Sequence, residues 1–357
     1  MSKSSPDLSR WASITSYISR HVDLDTSARE HGALVRRRGV RSAADLLQLA
    51  LLYGPGGMSL RSTASFAVEG GIADVCDVSL LDRLRNSGDW LTCILNELLA
   101  RKRDRPIASG GLRLTLVDGS TLSSPGSSGS DWRLHARYEP AIGAFTDMTV
   151  TPAKQAEALN RVAVLPGDLI VHDRGYGRAR HIAHAVDSGA QFISRIAWSG
   201  LKLLDAQGDP FDLIAALPEE GAPIAQARVI IVYNKKRIAA RLIMARKPSG
   251  AHEHESKRRL RKAKKNGQVV KAATLKAAGF MICVTSLSED EASSEKVIEL
   301  YRMRWQIELA FKRLKSLGGF DELRASDPRL VKSWMLAHLI AAVLIETAIG
   351  DDLDSPP

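Results

Sequence analysis

Between residues 111 and 198 the hydrophobic pattern changes period repeatedly, and that alternation limits the fold more than any other feature. "LRLTLVDGS" alternates, with Leu112, Leu114 and Leu116 on one face, and predicts a strand that stops at Asp118-Gly119. "DWRLHARYEP" and "FTDMTVTP" read as two more strands, with Gly143 in the turn between them. "QAEALNRVAVL" reads as a short helix and "GDLIVHDRG" as a short apolar strand ending at Asp173. "ARHIAHAVDSG" then predicts a helix closed by Gly189, and "AQFISRIAW" a further strand. The order β-β-β-α-β-α-β describes an α/β fold, a mixed sheet with helices packed on it.

The flanking segments follow other patterns. Residues 1–105 read as helices. "RSAADLLQLALLYG" has helical spacing and stops at Gly54-Pro55, and "MSLRSTASFAVEGG" follows, with Ser59 as its N-cap and Gly70-Gly71 as its end. "DVSLLDRLRNSGDWLTCILNELLARKR" reads as two helices broken near Ser87-Gly88. Two short helices across a tight glycine turn can carry Arg83 and Arg85 toward DNA, or can simply pack as a helical hairpin. From 200 to 291 "ARVIIVYNKKRIAARLIMAR" predicts a hairpin turning at Asn234-Lys235, and "GFMICVTSL" another strand. Between them lies the cationic stretch "ESKRRLRKAKKNGQVVKAATLK", which holds Arg258 and Arg259. It is either a solvated charged helix or, the reading the overall charge favours, an arm that contacts phosphates.

Charge narrows the partner. The 357 residues carry 50 Lys+Arg against 40 Asp+Glu, a formal net charge of +10. Such a balance favours a polyanion, most simply nucleic acid. No run of about 18 apolar residues is evident, so no membrane span is expected. "MSKSSPDLSRW" lacks the apolar core of a secretory signal. Cys76, Cys93 and Cys283 are far apart, which argues against a disulfide framework or zinc site and fits a cytoplasmic protein. His181 and His184 have no third ligand at zinc-like spacing. No phosphate-binding glycine loop and no nucleophile elbow is present.

"YRMRWQIELAFKRLKS", residues 301–316, predicts a helix with one acid among several cations. At about 100° per residue, Tyr301, Arg304, Trp305, Glu308, Lys312 and Lys315 share one stripe, opposite Leu300, Met303, Ile307, Ala310, Phe311, Leu314 and Leu317. Two i, i+4 ion pairs on a wet face explain part of this, each worth a few tenths of a kcal/mol. They do not explain the surplus of cations or the aromatic rings. The other reading is a carboxylate that holds a hard divalent metal while its neighbours grip phosphates. That reading needs further acids at strand ends, and Asp118 and Asp173 are there, although Asp before Gly is also an ordinary turn residue. Three such acids could hold two metal ions about 4 Å apart.

These residues resemble a family of bacterial DDE transposases, the insertion-sequence-four family. Its Y-x2-R-x3-E-x6-K motif is matched by Tyr301, Arg304, Glu308 and Lys315. Its first acidic motif resembles "VDGS", with Asp118, and its second resembles "HDRGY", with Asp173 beside Arg174 and Tyr176. "PGSSGSDWRLHARYEP" is similar to the segment after the family's first aspartate, and the likeness spans most of residues 40–320. The resemblance implies an RNase H-like mixed sheet flanked by helices and interrupted by a β-rich insertion. The expected domains are an N-terminal helical DNA-binding domain at 1–105, catalytic parts at 106–199 and 292–349, the insertion with its basic arm at 200–291, and a polar tail at 350–357. It implies Mg2+- (or Mn2+-) dependent cleavage at the element's terminal inverted repeats and strand transfer into target DNA. Asp118, Asp173 and Glu308 would be the catalytic, metal-holding triad. Tyr301, Arg304 and Lys315 would contact terminal phosphates, with Lys312, Arg174, Arg258 and Arg259 as further DNA contacts. A homodimer on double-stranded DNA, in the bacterial nucleoid and away from membranes, is the expected assembly. Some family members carry a Trp in the insertion that stacks a flipped base; residues 200–291 contain none. The alternatives are a non-catalytic DNA-binding remnant or an RNase H-like nuclease that cleaves without joining.

Overall fold

A computed structural model describes residues 8–107, 111–316 and 318–354. The first seven residues, Leu317 of the expected apolar face and the last three residues of the expected tail lie outside it.

Six helices come first: α1 (Leu8–Ser19), α2 (Leu24–Glu30), α3 (Ala43–Tyr53), α4 (Leu60–Glu69), α5 (Asp77–Arg85) and α6 (Gly88–Arg103). Their starts follow local chemistry. Ser42 and Asp45 form a reciprocal capping box on α3, and the Ser59 side chain accepts from the Ser62 amide at the start of α4. Arg83 donates to the carbonyls of Arg36 and Arg38, and Arg85 pairs with Asp82 and Asp327, so both side chains are engaged within the protein.

Then come β1 (Arg113–Leu122), β2 (Trp132–Glu139), β3 (Ala144–Pro152), a 3-10 turn (Leu159–Arg161), β4 (Asp168–His172), α7 (Ala179–Asp187) and β5 (Gln191–Arg195). The helix expected over "QAEALNRVAVL" is that single 3-10 turn. The segment is fastened instead by side chains: the Leu159 amide donates to His181 Nδ1 and the Ala163 amide to Asp147. After β5 come β6 (Leu203–Leu204), β7 (Ile224–Tyr233), β8 (Lys236–Arg246), α8 (Ser249–Lys265), α9 (Ala272–Ala278) and β9 (Phe280–Thr285). The β7–β8 turn places Asn234 at a φ of 53°, a conformation Asn tolerates. The chain then forms α10 (Ser294–Arg302), α11 (Trp305–Ser316) and α12 (Pro328–Asp354).

The nine strands among the described residues belong to one mixed sheet in the order β3-β2-β1-β4-β5-β9-β8-β7-β6. β1, β4 and β5 are parallel, and the remaining pairings are antiparallel. β9 lies between β5 and β8, so the hairpin from residues 224–246 extends the same sheet. One face packs Leu116, Leu134, Tyr138 and Val171 against the first helices and α10–α12. The other packs Val117, Ile170, Phe192 and Val284 with Ile182 of α7.

α12 corrects the hydropathy scan. Within the 21 residues Pro328–Ala348 an 18-residue window has mean hydropathy 1.5, long and apolar enough to cross a membrane by length and composition. Most of that window is buried within the protein, against α3, α5, α6 and β3, as suits a central core helix. α12 also continues through Asp354, into the stretch read as a polar tail.

Candidate active site

The sheet splits at Asp118. At Leu116 and Val117, β1 is paired on both sides: with β2 through Val117↔Arg137 and with β4 through Val117↔His172. Beyond that point β4 leaves the sheet while β1 continues beside β2 as far as Leu122↔Trp132. Asp118 is therefore within a strand, where the sequence placed it at a strand's end. The β2 ladder still satisfies the backbone there, so nothing forces the strand to stop. Neighbouring strands lie about 4.8 Å apart. Asp118 and Asp173, each following one member of the Val117↔His172 pair, thus emerge side by side at the carboxyl ends of parallel strands. Each is braced locally: the Gly119 amide donates to Asp118 Oδ1 at 2.8 Å, and the Gly175 amide to Asp173 Oδ1 at 2.7 Å. Burial pushes the Asp118 carboxyl up to about 7, and the nearby carboxylates of Asp173 and Glu157 add to the rise against the Gly119 amide and Arg304.

Glu308 arrives from α11, and the helix expected over 301–316 is broken. The amides of Arg304, Gln306 and Ile307 bond three residues back, to Tyr301, Met303 and Arg304, which tightens the chain and ends α10 at Arg302. This break reorients the expected stripe. Tyr301 turns inward, 6% exposed, with its hydroxyl buried beside Arg195, whereas Trp305 is 60% exposed. The apolar side holds: Ile307, Ala310, Phe311 and Leu314 are buried. Arg304, at the break, donates to Asp118 Oδ2 at 2.9 Å and, through its other terminal nitrogen, to Glu308 Oε1. One guanidinium thus joins the first and third acids. Among the described residues no group of three His, Cys, Asp or Glu side chains is drawn together closely enough to hold a metal ion as it stands, and the Arg304 guanidinium lies between two of the three acids.

Asp118, Glu308, Lys312, Lys315 and Asp321 line an open cleft of about 450 Å³. Lys315 Nζ donates to the Thr121 carbonyl at 3.0 Å. A second, smaller pocket of about 210 Å³ gathers Arg174, Arg195, Lys247, Arg259 and Trp198. Burial and its cationic neighbours, Arg195 foremost, push Lys247 down to about 8. Arg174 is lowered by the same causes, and its buried Nε lacks a hydrogen-bond partner. Arg259 and Arg258 both donate to Glu255 on α8; Arg258 is exposed to solvent and is not among the pocket-lining residues.

Sequence reasoning missed Glu157, Arg195 and Lys247, none of which sits in a recognisable motif. Trp198 escaped because it precedes the window searched for an aromatic residue. Gly177 is also fixed here: a Cβ would fall on the Arg195 carbonyl oxygen, so only glycine lets the turn after Asp173 pass this close to β5.

Residues 109–344 match the protein family described as Transposase DDE domain. Over 354 residues the chain is 43% identical to a protein named as transposase InsL for insertion sequence element IS186A from Escherichia coli (strain K12), covering 97% of this chain and 96% of that one. It is 42% identical over 355 residues to the transposase for insertion sequence element IS421 from Escherichia coli, with the same coverage. A more distant relative, the transposase for insertion sequence element IS231F from Bacillus thuringiensis subsp. israelensis, is 24% identical over 250 residues, covering 63% of this chain and 52% of that one.

Proposed function

The chain belongs to the family of transposases that carry the DDE domain, and from that premise we propose that Asp118, Asp173 and Glu308 are the acid triad with which it cuts and joins DNA. It is a DNA transposase whose family chemistry depends on divalent metal. The finer assignment is an insertion-sequence transposase of the insertion-sequence-four type. In this reading the mixed sheet is an RNase H-like core formed by residues 106–199 and 292–349, with the β-rich insertion at 200–291.

The observation that carries the reading is that a single guanidinium bridges Asp118 and Glu308, while sheet register sets Asp173 beside Asp118. These acids offer hard oxygen donors, so the set suits a hard divalent cation such as Mg2+. When bound, such ions would lower the pKa of an attacking water or 3′-hydroxyl and stabilise the leaving oxygen. The chain's own residues supply the rest. Arg304 releases Asp118 and Glu308 and turns to a DNA phosphate, which its planar donor fork suits better than a lysine would. The hinge is the break between α10 and α11. Arg174, Arg195, Lys247 and Arg259 grip the backbone of the DNA end, and Lys312 and Lys315 line its other side. The N-terminal helices bind the terminal inverted repeats, and two copies of the chain hold a pair of ends in the nucleoid.

The test is a cleavage and joining assay on DNA bearing the element's terminal repeats. Wild-type protein with Mg2+ should cut and then join the 3′-end to target DNA. Glu308→Gln should do neither while still binding the ends. Cleavage and joining by that variant at the wild-type rate would overturn the assignment.

A further inference from the structure

The turns after the two aspartates share a neighbour. A Cβ at Gly119 would lie 3.3 Å from Glu157 Oε1 and 3.5 Å from the Tyr176 hydroxyl. A Cβ at Gly175 would lie 2.5 Å from Glu157 Oε2 and 3.0 Å from Asp173 Oδ1. The Glu157 carboxylate therefore spans the gap between the residue after Asp118 and the turn of Asp173, with one oxygen facing each. It is held from outside the gap. Arg180 donates to the Glu157 carbonyl, and the Leu159 amide donates to His181, which fixes the backbone just after the acid.

An acid in this place is unfavourable unless something repays it. The Glu157 carboxylate stands against the turns of two other acids, and its ion pair with Arg133 is long at 3.9 Å. A second observation points the same way. Tyr176 is fully buried, and its hydroxyl, which borders the same gap, has no hydrogen-bond partner. A buried hydroxyl left unpaired costs about 1–3 kcal/mol, so a polar guest in this gap would relieve both groups.

We propose that Glu157 is a fourth acid of the metal centre, joining Asp118 and Asp173 in holding the divalent ion beneath the Tyr176 hydroxyl. The inference rests on the assignment of Asp118 and Asp173 as metal-holding acids. It explains why both turns carry glycine and why the segment over 153–163 is pinned by side chains where a regular helix would have carried the acid elsewhere.

The test is Mn2+ binding to the full-length protein without DNA, followed by calorimetry and by the rise in melting temperature. Glu157→Gln should weaken Mn2+ about ten-fold or more, within the range expected when a group supporting a metal is lost. It should remove most of the Mn2+-induced rise in melting temperature and leave the metal-free melting temperature unchanged or higher. Wild-type affinity in Glu157→Gln, beside a loss in Asp173→Asn, overturns this inference and leaves the triad standing. Wild-type affinity in Asp173→Asn overturns the triad and this inference with it. A measurement on the unmutated protein guards against a misfolded variant. Fe2+ in place of Mn2+, with ascorbate and peroxide, should cut the backbone near residues 118, 157 and 173. Cuts at 118 and 173 without one at 157 would also overturn the proposal.

Discussion

Replacing Asp168 with Asn should destabilise the sheet far more than its conservative shape suggests. Arg137 and Asp168 are both fully buried, and the guanidinium donates to the two carboxylate oxygens at 2.5 and 2.9 Å. Asp168 also accepts from the Leu165 amide at 2.8 Å and has Arg113 Nη1 at 3.6 Å. Arg137 in turn donates to the Ala163 carbonyl and to Thr146. Asn fills the same space and keeps one acceptor, but it leaves Arg137 a buried cation without its counter-charge. Breaking a buried pair in this way costs roughly 3–5 kcal/mol. The cost should appear as a lower urea midpoint in the first unfolding transition, followed by tryptophan fluorescence. The double variant Arg137→Met/Asp168→Leu removes both charges of the pair and should recover part of the loss, since a buried pair is often close to neutral against apolar residues of similar size, while Arg113 and the Leu165 amide still lose their acceptor. A cost below about 1 kcal/mol for Asp168→Asn would refute the reasoning, because it would mean that water reaches the pair. The pair matters to the site because Asp168 begins β4, whose register with β1 brings Asp173 to Asp118.

Three other outcomes follow from the same structure. Burial holds His135 and His338 down at about 4, so the unfolded chain takes up their protons near pH 6.5 while the folded chain refuses them until about pH 4. The two histidines' contribution should be full above about pH 6.5 and fall on acidification toward pH 4, by at most about 3 kcal/mol each, while Asp118, held up to about 7, contributes in the opposite sense; a His135→Gln/His338→Gln variant whose urea midpoint changes with pH as the wild type's does would contradict this. Lys247→Ala and Arg259→Ala should each weaken binding to element-end DNA and reduce the slope of log affinity against log salt by about 0.9, whereas an unchanged slope would remove the four-cation pocket from the DNA path. Gly177→Ala should lower the melting temperature and impair cleavage, because the added methyl falls on the Arg195 carbonyl oxygen; a fully active, equally stable variant would show that the turn is free to move.

Much of this was legible in sequence because its signals are local. Alternating or short apolar runs marked β1 to β5, and the capping Ser59 marked α4, since backbone hydrogen bonds and apolar spacing act within a few residues. Two of the failures of local reading have local appearances and distant causes. "QAEALNRVAVL" has helical spacing, yet His181 and Asp147 from other elements hold it open. Residues 301–316 have an unbroken helical pattern, yet the chain tightens at Met303–Arg304, where Arg304 meets Asp118 from β1.

The sequence by itself determined the mixed α/β class, the basic character and the three acids and their flanking motifs, because composition, periodicity and motif spacing are properties of neighbours along the chain. Only the tertiary structure decided that β6 to β9 extend one sheet, that Tyr301 faces inward, that Arg304 bridges two acids, and that Glu157 lies across the turns of Asp118 and Asp173. Those outcomes depend on which strands pair and which buried charges find partners. Such energies arise between residues far apart in the chain, and no window of sequence contains both sides of the contact.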